Sequence, residues 1–356
     1  AIDLCKTMGL QFFCATDHSY DLDDRVDNYL VHDPNLPKWK ALQREVDTVN
    51  GRERNFCVIR GEEVSCRNAD QRNIHLLLLG NREFIPGSGD GAERWLNTRS
   101  EHSLSEVLRF KAPDTAAFAA HPKDRVPFLQ RVLIGRGEWS TADLAADGLT
   151  GIQFANGVRG RAFDHGYTEW VRLLLAGRRT TIAAGNDAHG NFNRFRQVSI
   201  PFIRTREMDA QKFGEMRTGV FAEGPSHEQG IVLALHQGRS IITDGPVCTL
   251  RLTGANGEEF AIGDVARGSM FQGLLEIFSS EDFGEIAQAT IVHGVVGERK
   301  ETVLHQALGS QGFSLVLRFP FESAANGYVR ATVRTSTMSF DGLSHFCMTN
   351  PIWVET

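Results

Sequence analysis

The stretch Phe12-Phe13-Cys14-Ala15-Thr16-Asp17-His18 sets the pattern from which this chain is read. An apolar run of strand length ends abruptly in an acid and an imidazole. Three further apolar runs end in an acid, an imidazole or both. Phe56–Ile59 leads into Gly61-Glu62-Glu63-Val64-Ser65, Ala116–Ala120 into His121-Pro122, and Thr181–Ala184 into Gly185-Asn186-Asp187-Ala188-His189. Leu10–Ala15, His75–Leu79 and Gly151–Phe154 complete the strand candidates of this region. Between them lie amphipathic stretches at Lys38–Val49, Leu104–Phe110 and Thr168–Leu175, and a further helix is expected over Ser226–Gln237, ended by Gly238. This alternation predicts a βα architecture on parallel strands.

Beyond Gly245-Pro246 the texture changes. Cys248–Leu252, Leu274–Phe278, Ala289–Val292, Ser314–Phe319 and Tyr328–Val333 are short β-type runs separated by Gly, Asn and Ser, with no helical stretch among them. An all-β sandwich is the simplest account. The expected organisation is therefore a βα-barrel over residues 1–245 and a β-sandwich over 246–356. A chain of 356 residues is also longer than one hydrophobic core usually serves.

Composition narrows the function classes. The chain is 41% hydrophobic and 23% charged, as ordinary globular proteins are. Its formal charge of −6 offers no electrostatic footprint for nucleic acid, and the basic groups at Arg52–Arg54, Arg159–Arg161 and Arg194–Arg196 are short. No apolar run is long enough to span a bilayer; Ile74–Leu79 suits a buried strand. Neither nucleic acid nor membrane is expected as a partner, which leaves a small-molecule substrate. The six cysteines form no CxxC pair, and free buried thiols are the reading for Cys14 and Cys57. Ala1 opens a helical pattern without an initiating Met, so the native start is expected upstream, and neither compartment nor oligomeric state can be read.

In a βα-barrel, the loops leaving the C-terminal ends of the strands meet at one mouth. A single His or Asp there is usually a helix cap or a satisfied polar group. Four such exits together are different. They gather carboxylates that repel one another unless a cation neutralises them. Mixed imidazole and carboxylate donors suit zinc, manganese or iron better than calcium or magnesium.

These motifs, with Asn73-Ile74-His75, resemble the PHP (polymerase and histidinol phosphatase) domain superfamily. The resemblance implies a distorted seven-stranded βα-barrel holding two to three divalent metal ions in the intact protein. Position by position, His18 resembles the ligand of the T-D-H motif, with Asp17 supporting it. Glu63, rather than Glu62, occupies the bridging glutamate position. His75 and His121 match the ligands completing the second metal's shell, and Asp187 and His189 match the closing D-x-H pair. The family's opening His-x-His strand would lie upstream of the helix at Ala1–Met8, so an N-terminally truncated barrel is expected. Glu63, His75 and His121 form the one shell complete in sequence. Downstream, Asp187–Asn193, Phe213–Thr218, Gly238–Pro246 and Thr349–Val354 are similar to the CehA/McbA-like metallohydrolase branch.

The expected chemistry is hydrolysis by a metal-activated water, with Asp17, Glu63 and Asp187 in the catalytic machinery. No G-x-S-x-G nucleophile motif is present. The substrate is expected to be a phosphoester or a carboxylic or carbamate ester. Lys123, Arg159 and Arg161 are candidates to hold an anionic group, and Asp17, His165 and Tyr167 are candidates to protonate a leaving group. The alternative is a degenerate barrel acting as a binding or scaffold module.

Overall fold

A computed structural model describes residues 2–28, 31–88, 98–126, 128–133, 135–189, 195–200, 203–206, 212–224 and 227–356. Arg194, Gly190–Asn193 and Ser226, named above, lie outside them. The chain begins with α1 (Ile2–Thr7), β1 (Phe12–Ala15), α2 (Ser19–Leu22), α3 (Pro37–Arg52), β2 (Cys57–Arg67) and β3 (Asn73–Leu79). It continues through α4 (Leu104–Phe110), β4 (Ala116–Ala120), α5 (Phe128–Leu133), α6 (Thr141–Leu144), β5 (Gly151–Asn156), α7 (Arg161–Leu175) and β6 (Thr181–Gly185). There follow β7 (Phe195–Ile200), β8 (Ile203–Arg206), β9 (Arg217–Val220), α8 (Glu228–Gln237), β10 (Ser240–Thr243), β11 (Val247–Gly254) and β12 (Glu259–Ala261). The last strands are β13 (Val265–Arg267), β14 (Met270–Phe278), β15 (Ile286–Val295), β16 (Thr302–Leu308), β17 (Ser314–Glu322), β18 (Gly327–Met338), β19 (Ser344–Thr349) and β20 (Ile352–Glu355). Two compact units result, one of residues 1–154 with 222–236, the other of 155–221 with 237–356.

In the first unit the strands lie in the order β1-β2-β3-β4-β5, part of a curled half-barrel sheet. The expectation of parallel strands throughout fails at β3. β1 is parallel to β2 and β4 to β5, but β3 runs antiparallel to both its neighbours. The cause is that β2 does not end at Ile59. Its eleven residues run through Gly61-Glu62-Glu63 to Arg67, and the chain returns at once as β3. The tight turn between them has Gln71 at φ 60, with Asn68 N–H donating to Arg72 O at 2.8 Å. A hairpin of this length can join only antiparallel strands.

Helix ends follow local chemistry. α3 starts on Pro37, whose missing N–H costs nothing in the first turn. α4 opens with a capping box between Ser103 and Glu106, and α6 with one between Ser140 and Asp143. Arg60 on β2, buried to 3% exposure, ties α3 and α8 to the sheet. Its Nε donates to Glu228, Nη1 to Gln43 at 2.9 Å, and Nη2 to Asp47 at 2.6 Å.

The second unit is organised by two antiparallel-rich sheets. One has the order β12-β11-β14-β17; the other runs β13-β20-β18-β19-β10-β9, with β15 joined to β18 and β16 to β15. Cys248, Leu250, Leu252, Leu275, Ile277, Phe319 and Phe321 of the first share one core with Ile286, Ile291, Val329, Ala331, Val333, Cys347 and Ile352 of the second. Burial along β14 alternates residue by residue, as a strand with one face on a core requires. Asn350, fully buried, pins β6 to β10: its Oδ1 accepts from Ile182 N at 2.8 Å, and its Nδ2 donates to Ser240 Oγ at 2.9 Å.

Two strand glycines carry an aromatic ring on the facing strand. Gly273 pairs with Phe319 and Gly294 with Tyr328, and a Cβ at either glycine would overlap that ring. The ring thus fills the space a side chain would take. Gly273→Ala and Gly294→Ala should each cost about 1–3 kcal/mol of stability. Equilibrium urea unfolding checks this, and midpoints unchanged from the parent would refute it.

Candidate metal centre

The site grows out of strand register. β1 pairs with β2 from Phe12↔Cys57 to Ala15↔Arg60, and the same offset reappears past the end of β1 as an isolated bridge His18↔Glu63. Glu63 N–H donates to Asp17 O at 3.0 Å, and Ser19 Oγ donates to Glu63 O at 3.3 Å. His18 is therefore set beside Glu63 by backbone alone. Across the hairpin His75 pairs with Ser65, which shares a face with Glu63, so His75 stands diagonally opposite the carboxylate. His75 Nδ1 meets Glu63 Oε1 directly.

The third imidazole arrives from β4. His121 follows that strand with φ 31, a left-handed value that a non-glycine residue adopts only when its surroundings hold it there. Gln153 holds it, since the His121 N–H donates both to Gln153 O at 3.0 Å and to Gln153 Oε1 at 2.9 Å. So placed, His121 Nε2 lies 3.2 Å from Glu63 Oε1. The rings of His18 and His75 are 4.9 Å apart and those of His75 and His121 5.4 Å apart; Tyr20 stacks on His18 at 4.6 Å. His18, Glu63 and His75 each offer a donor atom within 4.8 Å of the others.

Glu62 and Glu63 are adjacent in one strand and electrostatically opposite. Burial drives the Glu62 carboxyl well above the usual carboxylate range, and hydrogen bonds from Ile85 N–H and Asn81 Nδ2 to its Oε1 only partly offset this. Burial raises Glu63 too. The electrostatic influence of His75 and His18, with hydrogen bonds from His121 and His75, outweighs it and holds Glu63 well below that range. The result is a buried anion ringed by imidazoles. Arg136 adds a further constraint by donating from Nη1 to His75 Nε2 at 2.9 Å. A guanidinium has no acceptor, so in this arrangement a neutral His75 carries its proton on Nδ1, toward Glu63; to ligate a cation through Nδ1 the proton must move to Nε2 and the Arg136 N–H must turn away. Two or three imidazoles around one carboxylate are donors that fit zinc, iron or manganese.

The other residues singled out from sequence are placed differently. Asp17 is exposed, and its carbonyl is engaged by Glu63 N–H. Lys123 Nζ donates to Trp139 O at 3.0 Å. Asp187 and His189 follow β6 in the second unit, with Asp187 at φ 49 and His189 Nδ1 2.7 Å from Asp187 O. Arg159 belongs to the second unit, its side chain is 5% exposed, and it pairs with Asp341 at 2.7 Å and Asp244 at 3.3 Å. The Tyr167 hydroxyl accepts from the buried Arg330 at 2.5 Å. Arg161 and His165 are exposed on α7.

Sequence reasoning missed Arg136. A signal was available in Gly135-Arg136-Gly137: Gly135 has φ 66, and Gly137 passes so close to Arg72 that a Cβ would overlap it. Asn73 N–H donates to Gly135 O and Gly137 N–H to Asn73 O, which lays this segment along the start of β3 and sets Arg136 beside His75. The role of Gln153 was equally invisible.

No family model matches the sequence, nor does any curated protein compared with it. Among solved structures, the soluble domain of PmoD from Methylocystis sp. ATCC 49242 (Rockwell) aligns with 30% of this chain and 90% of its own length. The identity is 7% and the TM-score 0.22, a likeness that carries no argument about fold or chemistry.

The contrast between the two glutamates gives a pH test. Glu62 has a raised value in the folded state, so the stability it permits is full below the ordinary carboxylate range and declines as pH rises toward the folded value. Glu62→Gln keeps the acceptor for Ile85 and Asn81 and removes the ionisable group. The variant should gain stability relative to the parent as pH rises from about 4 to about 8. Urea midpoints across that range provide the check, and a parallel pair of curves would contradict the assignment.

Proposed function

We propose that this chain is a metal-dependent hydrolase of the PHP type, its half-barrel carrying a divalent transition metal on His18, Glu63, His75 and His121. One observation carries the reading: the buried Glu63 carboxylate is held anionic and met by three imidazoles drawn from three separate segments of the first unit. A structural role alone needs one partner for a buried carboxylate, and hydrogen-bonding amides serve that purpose at Glu62. Zinc, manganese or iron bound there would supply Lewis acidity and a water acidified toward neutral pH.

The protein's own part is binding and orientation. Gln153 fixes the backbone of His121, Tyr20 braces the ring of His18, and the backbone bridge between His18 and Glu63 sets their separation. Low exposure of Glu63 and His75 keeps bulk water from the carboxylate and strengthens its electrostatic interactions. For the substrate, the guanidinium of Arg136 beside His75 favours an anionic phosphoester over a neutral carboxylic or carbamate ester.

Purified protein should hold at least one transition metal per chain by elemental analysis. Glu63→Gln and His121→Ala should lose it, along with hydrolysis of p-nitrophenyl phosphate. Less than one metal per chain, or activity unchanged in both variants, would falsify the proposal, while turnover of naphthyl esters or carbamates alone would move the substrate class to the ester. Gln153→Ala, which frees His121 without removing a donor, should weaken metal affinity about 10–100-fold in a chelator competition assay.

A further inference from the structure

Away from the metal centre, the core of the second unit holds a pair of thiols in contact. Cys248 Sγ and Cys347 Sγ are 3.4 Å apart, and both residues are fully buried. They belong to different sheets. Cys248 is the second residue of β11, paired with Ile277 of β14; Cys347 lies on β19 between Thr243 of β10 and Val333 of β18. The two side chains therefore point at each other across the core shared by the sheets. Asp244-Gly245-Pro246 has just carried the chain from β10 in one sheet to β11 in the other. A covalent link at this place would close the sandwich where the chain changes layer.

We propose that Cys248 and Cys347 are a modification site, oxidised to an inter-sheet disulfide during folding by a small-molecule or protein disulfide. The distances support it. Covalent sulfurs are about 2.05 Å apart, so bringing these atoms from 3.4 Å to bonding distance takes small side-chain rotations rather than movement of a sheet. The step balances as thiol–disulfide exchange. The thiolate of one cysteine attacks the disulfide reagent, forming a mixed disulfide and expelling one reagent thiolate, which takes up the proton lost by the cysteine. The second cysteine then attacks the mixed disulfide, forming the Cys248–Cys347 bond and expelling the second reagent thiol. Both protons leave with the reagent, and the reagent disulfide is reduced by two electrons.

Timing follows from burial. Neither sulfur can reach a reagent in the closed sandwich, and burial also pushes the Cys347 thiol well above its ordinary range, which suppresses the attacking thiolate. The bond must form while the sheets are still open. Once formed it spans 99 residues of sequence, a long loop whose closure removes much freedom from the unfolded chain.

The test is oxidative refolding of the full chain. Denatured, reduced protein is refolded in a buffer of oxidised and reduced glutathione, then unfolded under an alkylating agent and mapped by mass spectrometry. A Cys248–Cys347 cross-linked peptide pair is expected, two hydrogens lighter than its separate peptides. The thermal midpoint of the oxidised protein should lie about 5–10 °C above that of protein refolded in excess reductant. In Cys248→Ala, which removes little volume, the midpoint should not depend on the buffer. Refolded protein of native circular dichroism with both sulfurs alkylated overturns the proposal, as does cross-linking confined to Cys5, Cys14, Cys57 or Cys66.

Discussion

The registration of β1 on β2 is the constraint on which the candidate centre depends. Strand residues alternate faces, so a slip of one position would turn Glu63 away from the histidines and present Glu62 instead. Nothing in the charges of the two residues distinguishes them. What distinguishes them is that the offset pairing Phe12 with Cys57 also pairs His18 with Glu63. The hairpin then brings His75 to the same face, and Gln153 holds the unusual backbone of His121 within reach. Three short backbone relations thus create a donor cluster in which no two members are closer than twelve residues in sequence.

The first unit buries several ionisable groups on one strand, and each is accommodated by a different means. Arg60 keeps its charge because two carboxylates and an amide oxygen satisfy its guanidinium. Glu62 is driven toward the neutral acid by burial, with amide donors on one oxygen. Glu63 alone is kept as an anion by imidazoles. Histidine can give up its proton near neutral pH, where arginine cannot, so the ring around Glu63 is one in which a bound cation can replace protons. In the second unit the buried cation Arg330 follows the Arg60 pattern: Glu301 pairs with it while the rings of Tyr167 and Trp170 cover it at 5.2 and 5.1 Å. Such groups hold structure together, and Arg159 is paired in the same way with Asp341 and Asp244.

Elements with a strong periodic signal were legible. The pattern at Leu104–Phe110 is α4 to the residue, and Ala116–Ala120 is β4. The short β-type runs beyond Gly245 are strands, and β14 and β17 alternate in burial because each has one face on the shared core. The reading broke at Gly61–Ser65. Two adjacent glutamates after an apolar run look like a loop, and only tertiary partners on both faces make them tolerable inside a strand. That one misplacement converted an expected parallel exit into the antiparallel hairpin.

By itself, the sequence determined which chemistry the first unit can carry, since imidazole and carboxylate follow apolar runs at Asp17-His18, Glu62-Glu63 and His121. Alternation and helical periodicity, being local, were readable without a structure. Tertiary structure supplied the register that sets Glu63, already singled out by its motif, against the histidines, the contacts of Arg136 and Gln153 that orient them, and the partners of Arg159 and Tyr167. It also brought Cys248 and Cys347 together from 99 residues apart. These depend on register and on chain reversals, which are fixed by packing and backbone hydrogen bonding between distant segments and leave no periodic trace in either segment alone.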